Sequence, residues 1–230
     1  MSDSVEIFLS SSVEDYLKAI YLQTREGKPT TTLALAEILN VRPASVTNML
    51  QRLSEGQQGF IHYRKRYGVS LTPEGEKAAL QIIRRHRLLE QFLYQVLAYP
   101  LEEVHQEAEK LEHVVSPLFI ESIVRLMQNP VYDPHGHPIP DPDLVMSDAR
   151  KLRRLSELNE GDRAVVRKLS DQDRDMLTFL LAVGITPGVE IVVIQKNPLD
   201  GSLQFQIKGS ELSQVLGEAT CTSIQVEMAG

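Results

Sequence analysis

The stretch from Pro100 to Pro117, PLEEVHQEAEKLEHVVSP, brings acids and histidines into register. At about 100° per helical residue, His105, Glu109, Glu112 and His113 fall near 0°, 40°, 340° and 80°. Val104, Ala108, Leu111 and Val115 form an apolar stripe beside them. Carboxylates crowded on one face repel unless a cation lies between them, and a divalent metal is the group that would use both carboxylates and both imidazoles. A Glu-rich helix face is also what solvated surface looks like, so partners elsewhere in the chain must decide. His86 and Glu90, four residues apart, have the spacing by which one helix offers two ligands to one ion. His135 and His137 flank a glycine in the proline-dense loop NPVYDPHGHPIPDPD. Asp15 lies near the start of an N-terminal helix, a place where a carboxylate also suits the helix dipole.

Residues 12–23 read as an amphipathic helix with Val13, Leu17, Ile20 and Tyr21 on one side. The run TTTLALAEILNVRPASVTNMLQRLSE then reads as two short helices about a tight break, in helix-turn-helix phrasing. Leu33, Leu35, Ala36 and Leu39 of the first are expected inward, as are Val46, Met49, Leu50 and Leu53 of the second. That leaves Arg42, Pro43, Ala44, Ser45, Thr47, Asn48, Gln51 and Arg52 outward, a set of small groups, amides and guanidinia suited to base edges and phosphates in a major groove. A hairpin with the basic tip Arg64-Lys65-Arg66 follows, as a wing would. Thr72 caps a long helix expected to run from Pro73 to about Ala98, with more apolar surface than one small domain needs. In the next apolar helix, SPLFIESIVRLMQN, Leu118, Ile123, Val124 and Met127 are available for a dimer seam. From Gly161 the period becomes alternating, with an Asp200-Gly201 hairpin turn, which implies a small SH3-like barrel.

At 230 residues and 42% apolar content the chain can fill more than one core. Its net charge of −7 is uneven: the acidic excess lies in residues 74–143, whereas residues 1–73 are close to balanced and free to approach a phosphate backbone. The lone Cys221 excludes an internal disulfide, and its run ATCTSIQV reads as a core strand. No apolar run is long enough to span a membrane and the N-terminus lacks signal-peptide regions, so a cytoplasmic protein is expected. No nucleophile elbow, Walker loop or Cys–His pair is present, so the chain is not expected to be an enzyme.

This order of parts resembles the diphtheria toxin repressor family of metal-dependent transcriptional regulators over essentially the whole chain. EDYLKAIY, LTPEG, RRHRLLEQFL, HQEAEKLEHVVS and PHGHPIP are the most specific segments. The fold expected is mainly α with a C-terminal β-barrel: a winged helix-turn-helix over 1–73, a helical metal-binding and dimerisation domain over 74–143, a linker over 144–160 and an SH3-like (FeoA-like) domain over 161–230. The resemblance implies a primary metal site of Asp15, Glu109, Glu112 and His113. It also implies an ancillary site of His86, Glu90 and His105, completed by an acid from the barrel that matches Asp173 by position, with His135 as an alternate ligand. The iron-responsive branch has Met and Cys where this chain has Asp15 and Glu109, and oxygen ligands at both positions resemble the manganese-responsive branch. Hard oxygen donors suit Mn(II), with Fe(II) as the alternative. The two-metal manganese regulators carry a further Glu where this sequence has Lys18. The implied function is a homodimer that binds a palindromic double-stranded DNA operator when metal is bound and represses metal-uptake genes. A winged-helix regulator sensing a non-metal ligand is the alternative, and it would be indifferent to chelators.

Overall fold

The computed structural model describes residues 9–25, 27, 30–55, 59–64, 68–171 and 173–229. The chain forms two compact units, Met1–Arg85 with Pro140–Val145, and His86–Ile139 with Met146–Gly230.

In the first unit α1 (Ser11–Arg25), α2 (Thr32–Ile38) and α3 (Pro43–Glu55) precede the antiparallel hairpin of β1 (Ile61–Arg64) and β2 (Gly68–Leu71). Thr31 caps α2, its hydroxyl accepting from Ala34 N at 3.1 Å, and Pro43 opens α3 where a missing N–H costs nothing. Leu17, Ile20, Leu35, Val46, Leu50, Ile61 and Val69 are buried. Leu33, expected inward, is instead 71% exposed: two residues of helix are about 200° of rotation, so Leu33 and Leu35 cannot face one core. Leu39 and Met49 are only half-buried.

The segment LTPEG launches α4 (Pro73–Gln95), with Thr72 Oγ1 accepting from Gly75 N at 3.1 Å. A Cβ on Gly75 would lie 2.0 Å from the Phe60 carbonyl oxygen, so only glycine lets this helix start against the strand leading into the hairpin. The helix stops short of Ala98: Val96 and Leu97 both donate to the Phe92 carbonyl, and Ala98 turns to φ 55°.

In the second unit the C-terminal half of α4 packs with α5 (Leu101–Leu111) and α6 (Pro117–Leu126) around Leu88, Leu89, Leu93, Val104, Ala108, Ile123 and Met127. Helix α5 is shorter than its acidic stripe suggests. Glu112 is its C-cap and His113 lies in the following turn, because Val114 and Val115 both donate to the Leu111 carbonyl and Pro117 disfavours helix at the residue before it. Ile123 and Met127 belong to this core and are not free for a seam, whereas Leu118, Phe119 and Leu126 are exposed.

The strands β3 (Leu152–Arg154), β4 (Arg163–Leu169), β5 (Glu190–Lys196), β6 (Leu203–Ile207), β7 (Ser213–Leu216) and β8 (Ile224–Met228) form one antiparallel sheet in the order β3-β8-β4-β5-β6-β7. Alternate residues point into its core, among them Ala164, Val166, Ile191, Val193, Leu203, Phe205, Ile224 and Val226. Among the described residues no pairing joins β3 to β7, so this small antiparallel sheet is not the closed barrel expected. Helix α7 (Arg174–Ala182) lies between β4 and β5, and α8 (Glu218–Thr222) precedes β8. Cys221 sits in α8 and not in a strand, buried, with its thiol pushed up to about 11 by that burial. Strand β3 falls in the stretch expected to be linker and pairs with β8. No helix among the described residues is long and apolar enough to cross a membrane.

Candidate metal centre and nucleic-acid interface

On α3 the outward side is as expected: Arg42, Pro43, Ala44, Ser45, Asn48, Gln51 and Arg52 are exposed. Thr47 is half-buried and donates its hydroxyl to the Pro43 carbonyl at 3.1 Å. Arg64 is exposed at the end of β1, while Lys65 and Arg66 lie outside the described residues. The acids of the α3 segment wait until Glu55, so this face carries guanidinium, amide and hydroxyl groups and no acid through its first turns.

The second unit holds a buried cluster of acids and imidazoles. His86 and Glu90, one turn apart on α4, are 5% and 0% exposed. Facing them from α5 is His105, whose Nδ1 lies 3.0 Å from Glu90 Oε1 and 3.1 Å from His86 Nε2. His86 Nε2 is itself 3.0 Å from Glu90 Oε1. His86 Nδ1 lies against the Glu112 carboxylate, which fixes the ring with Nε2 facing Glu90 and His105. Three donor atoms converge there, on His86, Glu90 and His105.

The loop between α6 and β3 supplies more donors. Asp133 Oδ1 accepts from the backbone N–H of His135 and of His137, both at 2.9 Å, and so shapes the turn. Gly136, at φ 89°, packs so tightly on β4 that a Cβ would lie 1.8 Å from the Arg167 carbonyl oxygen. His135 Nε2 donates to the Leu101 carbonyl at 3.2 Å, leaving Nδ1 as a bare acceptor 3.8 Å from Glu90 Oε1. Glu90 Oε2, Asp133 Oδ2, His135 Nδ1 and His137 Nδ1 are all buried without a hydrogen-bond partner. Asp133 Oδ2 and His137 Nδ1 lie 3.2 Å apart as an ion pair, which leaves Glu90 Oε2 and His135 Nδ1 as the buried atoms with no close partner among the described residues. An unpaired buried polar atom costs roughly 1–3 kcal/mol, more when charged, so those two atoms fit a site built for a cation.

Of the acids expected from the SH3-like domain, Asp173 does not reach this cluster in the structure. That side chain is exposed and accepts from Met176 N at 3.0 Å as the N-cap of α7. Asp171 takes the position instead, its Oδ2 3.7 Å from both His105 Nδ1 and His137 Nδ1. Burial alone would raise the Asp171 carboxyl, but His137 and its neighbouring imidazoles hold it near 2. Burial likewise works against Glu90 as an anion, and His86, His105 and His135 outweigh it, keeping its carboxyl well below the usual range. His105 is raised: burial opposes its charge, and the hydrogen bond to Glu90 with the charge of Asp171 overcomes that. A proton on His105 therefore stands in for part of the positive charge these acids require.

Of the other expected ligands, Glu109 Oε1 lies 3.8 Å from His105 Nε2 and is half exposed, while Glu112 is buried with Oε1 3.4 Å from His113 Nε2. Glu112 thus touches His86 through one oxygen and approaches His113 through the other. Asp15 is half-buried on α1 of the first unit. Asp133 and Asp171 stand outside the sequence candidates, and His137 enters them only as the histidine that flanks Gly136 with His135. The alternation Asp133, His135, His137 was a period-two signal in plain view, whereas Asp171 carries none beyond its proximity to a helix start.

Residues 8–69 match the family described as "Iron dependent repressor, N-terminal DNA binding domain". Residues 72–141 match "Iron dependent repressor, metal binding and dimerisation domain", and residues 153–228 match "FeoA domain". The iron-dependent repressor IdeR of Mycobacterium leprae is 32% identical over 197 residues, covering 80% of this chain and 84% of that protein. The HTH-type transcriptional regulator MntR of Lysinibacillus sphaericus is 38% identical over 117 residues, 51% of this chain and 82% of that one. A solved manganese-dependent transcriptional repressor in complex with manganese superposes with a TM-score of 0.85 at 33% identity, over 94% of this chain and all of that one. The chain belongs to the diphtheria toxin repressor family, the iron-dependent repressors, which are metal-dependent DNA-binding transcriptional repressors and not enzymes.

Proposed function

We propose that this chain is a manganese-dependent repressor of metal-uptake genes, acting in the cytoplasm as a homodimer on a palindromic operator. The observation that carries the metal reading is the set of buried, unpartnered oxygen and nitrogen atoms around Glu90. His86, Glu90, His105, His135 and Asp171 would hold one ion there. The family resemblance assigns a second ion to Asp15 with Glu109, Glu112 and His113. A divalent cation supplies in both places the charge that lets carboxylates share a small volume. Manganese is favoured over iron because these ligands are oxygens and imidazoles with no thiolate or thioether among them, and hard donors suit an ion low in the affinity series. Iron(II) is the competing reading, supported by the iron-dependent relatives.

The residues of α3 carry DNA recognition in this reading. Arg42 and Arg52 neutralise phosphates or reach guanine edges, Asn48 and Gln51 present amides to base edges, and Pro43, Ala44, Ser45 and Thr47 allow close approach. Arg64, Lys65 and Arg66 place positive charge along the backbone beside it. Exposed Leu118, Phe119 and Leu126 on α6 are the seam of the homodimer. Anaerobic titration of Mn(II) and of Fe(II), with operator binding followed by fluorescence anisotropy, tests the proposal. Mn(II)-dependent binding reversed by EDTA is expected; a clear preference for Fe(II) overturns the choice of metal, and binding indifferent to EDTA overturns the metal-sensing role.

A further inference from the structure

We propose that Arg150 is a positioning residue for the buried metal centre: it fastens the loop that carries His135 to strand β4, just ahead of Asp171, and so sets both residues against the donors on α4 and α5. The proposal rests on the reading of His86, Glu90, His105, His135 and Asp171 as one centre, and it adds a residue outside the donor set. The Arg150 guanidinium is shared among three segments. Its Nη2 donates to the Gly136 carbonyl at 2.6 Å, and its Nη1 to the Arg167 carbonyl of β4 at 3.4 Å. Its face lies on the Tyr132 ring, with Cζ 3.7 Å from the ring centroid. Nε and Nη2 grip the Asp148 carboxylate as a fork at 2.8 and 2.7 Å, and the Tyr132 hydroxyl donates to the same carboxylate at 3.4 Å. Loop, strand and the segment leading into β3 thus meet on one side chain, which is only 14% exposed.

The centre draws its donors from separate elements, and that is where such a fastening acts. His86 and Glu90 stand on α4 and His105 on α5, helices that share one packed core. His135 and Asp171 come instead from the loop and from just beyond the end of β4. His135 Nδ1 is 3.8 Å from Glu90 Oε1 and Asp171 Oδ2 is 3.7 Å from His105 Nδ1, and a site of this kind tolerates displacements of only about 0.5 Å. The backbone already ties loop to strand: Leu169 N donates to the His135 carbonyl at 2.9 Å, and Gly136 packs against Arg167. Arg167 is the extra residue of a bulge in β4, with no partner in β8, and Arg150 supplies its carbonyl with a donor. An Arg–Asp pair two residues apart at a protein surface ordinarily contributes little. Such a pair has no need of carbonyls 14 and 17 residues away or of an aromatic face, and Arg150 has all three. A planar fork can stack on a ring while it donates in several directions, which a lysine ammonium cannot do.

The test uses the full chain and Mn(II) alone, with affinity measured by calorimetry and ligand geometry read from the zero-field splitting in the electron paramagnetic resonance spectrum. The ion concerned is the one that Glu90→Gln removes. In Arg150→Gln that ion is expected to bind about 10–100-fold more weakly, the range for residues that orient a ligand, and to show a changed splitting at saturation. The metal-free variant is expected to keep its native circular dichroism. Arg150→Lys, which retains the charge without the fork, should restore neither affinity nor splitting, and it decides by the same two measurements if Arg150→Gln loses its native spectrum. Arg153→Gln, which removes an exposed charge from β3 of the same sheet, should leave both unchanged. Unaltered affinity in Arg150→Gln, or full recovery in Arg150→Lys, overturns the proposal. Weaker binding with an unchanged splitting overturns it too, since a general loss of stability lowers affinity without moving the ligands. If Glu90→Gln leaves Mn(II) binding unchanged, the metal centre itself is misassigned, whereas loss there with no effect of Arg150→Gln removes only the positioning role.

Discussion

Glu90 is the residue on which the buried centre depends. Its carboxylate is fully buried, bonded to two imidazoles through one oxygen and unpaired at the other. Glu90→Gln removes the charge with little change of shape, and Mn(II) affinity measured by calorimetry should fall by more than about 100-fold, since even residues that merely orient a ligand cost 10–100-fold. Protonation gives a second prediction. His105 has its pKa raised above the ordinary 6.5, so below that raised value the ring carries a proton that ligation must expel. Metal affinity should therefore rise with pH by up to about tenfold per unit for that proton, and level off once pH passes the raised pKa. The sign for the chelated protein is the reverse: the stability contributed by His105 is complete below pH 6.5 and is lost as pH rises through the shifted value. Calorimetry in buffers of different ionisation enthalpy should detect the released proton, and an affinity that falls with pH over this range would contradict the assignment of His105 as a ligand.

Helix α3 and the hairpin were legible in the sequence because turn chemistry and the period of apolar residues state their faces directly, and Arg42, Asn48, Gln51 and Arg52 are exposed as that period requires. The acidic stripe of α5 was less so. Its register placed His105 and Glu109 on the helix, but the C-cap at Glu112 comes from the Ser116-Pro117 start of the next helix, a local conflict that helical projection ignores. Asp173 was a reasonable choice by position, yet a carboxylate immediately before a helix is first of all a cap. The loop around His135 was legible as a turn with two candidate histidines, but the packing of Gly136 on β4 that fixes the loop's place carries no sequence signal of its own. At the level of elements, Arg52→Ala should reduce the slope of log affinity against log salt by about one if it contacts phosphate; if it reads a base instead, it should cost about 1–3 kcal/mol on the cognate site alone. On α6, Leu118 and Leu126 are 68% and 61% exposed, and burying such side chains is worth about 1.5–3 kcal/mol each. Leu118→Glu with Leu126→Glu should therefore convert the proposed dimer to a monomer by light scattering while leaving circular dichroism unchanged; a dimer that persists would place the seam elsewhere.

For the whole molecule, the proposed regulation is a thermodynamic linkage between two kinds of ligand, and linkage is reciprocal. Residues 8–69 match a DNA-binding family and residues 72–141 a metal-binding and dimerisation family, and the proposed primary ligands draw on both, Asp15 from the former and Glu109, Glu112 and His113 from the latter. If occupancy of that site raises operator affinity by some factor, operator DNA must raise the combined Mn(II) affinity of the same sites by the same factor. Such couplings are typically 5–150-fold, or about 1–3 kcal/mol. The experiment is a closed cycle: operator affinity by anisotropy in EDTA and at saturating Mn(II), then Mn(II) affinity by calorimetry with and without operator. The two factors should agree in the unmodified protein and collapse towards one in Glu109→Ala and His113→Ala, which should remain folded dimers. Because Glu90 and Asp171 belong wholly to the second unit, Glu90→Gln should reduce the coupling without abolishing it while Asp15 and its partners remain. An intact coupling in Glu109→Ala, or one fully lost in Glu90→Gln alone, would reverse the order of the two centres and make the buried cluster the one that switches DNA binding.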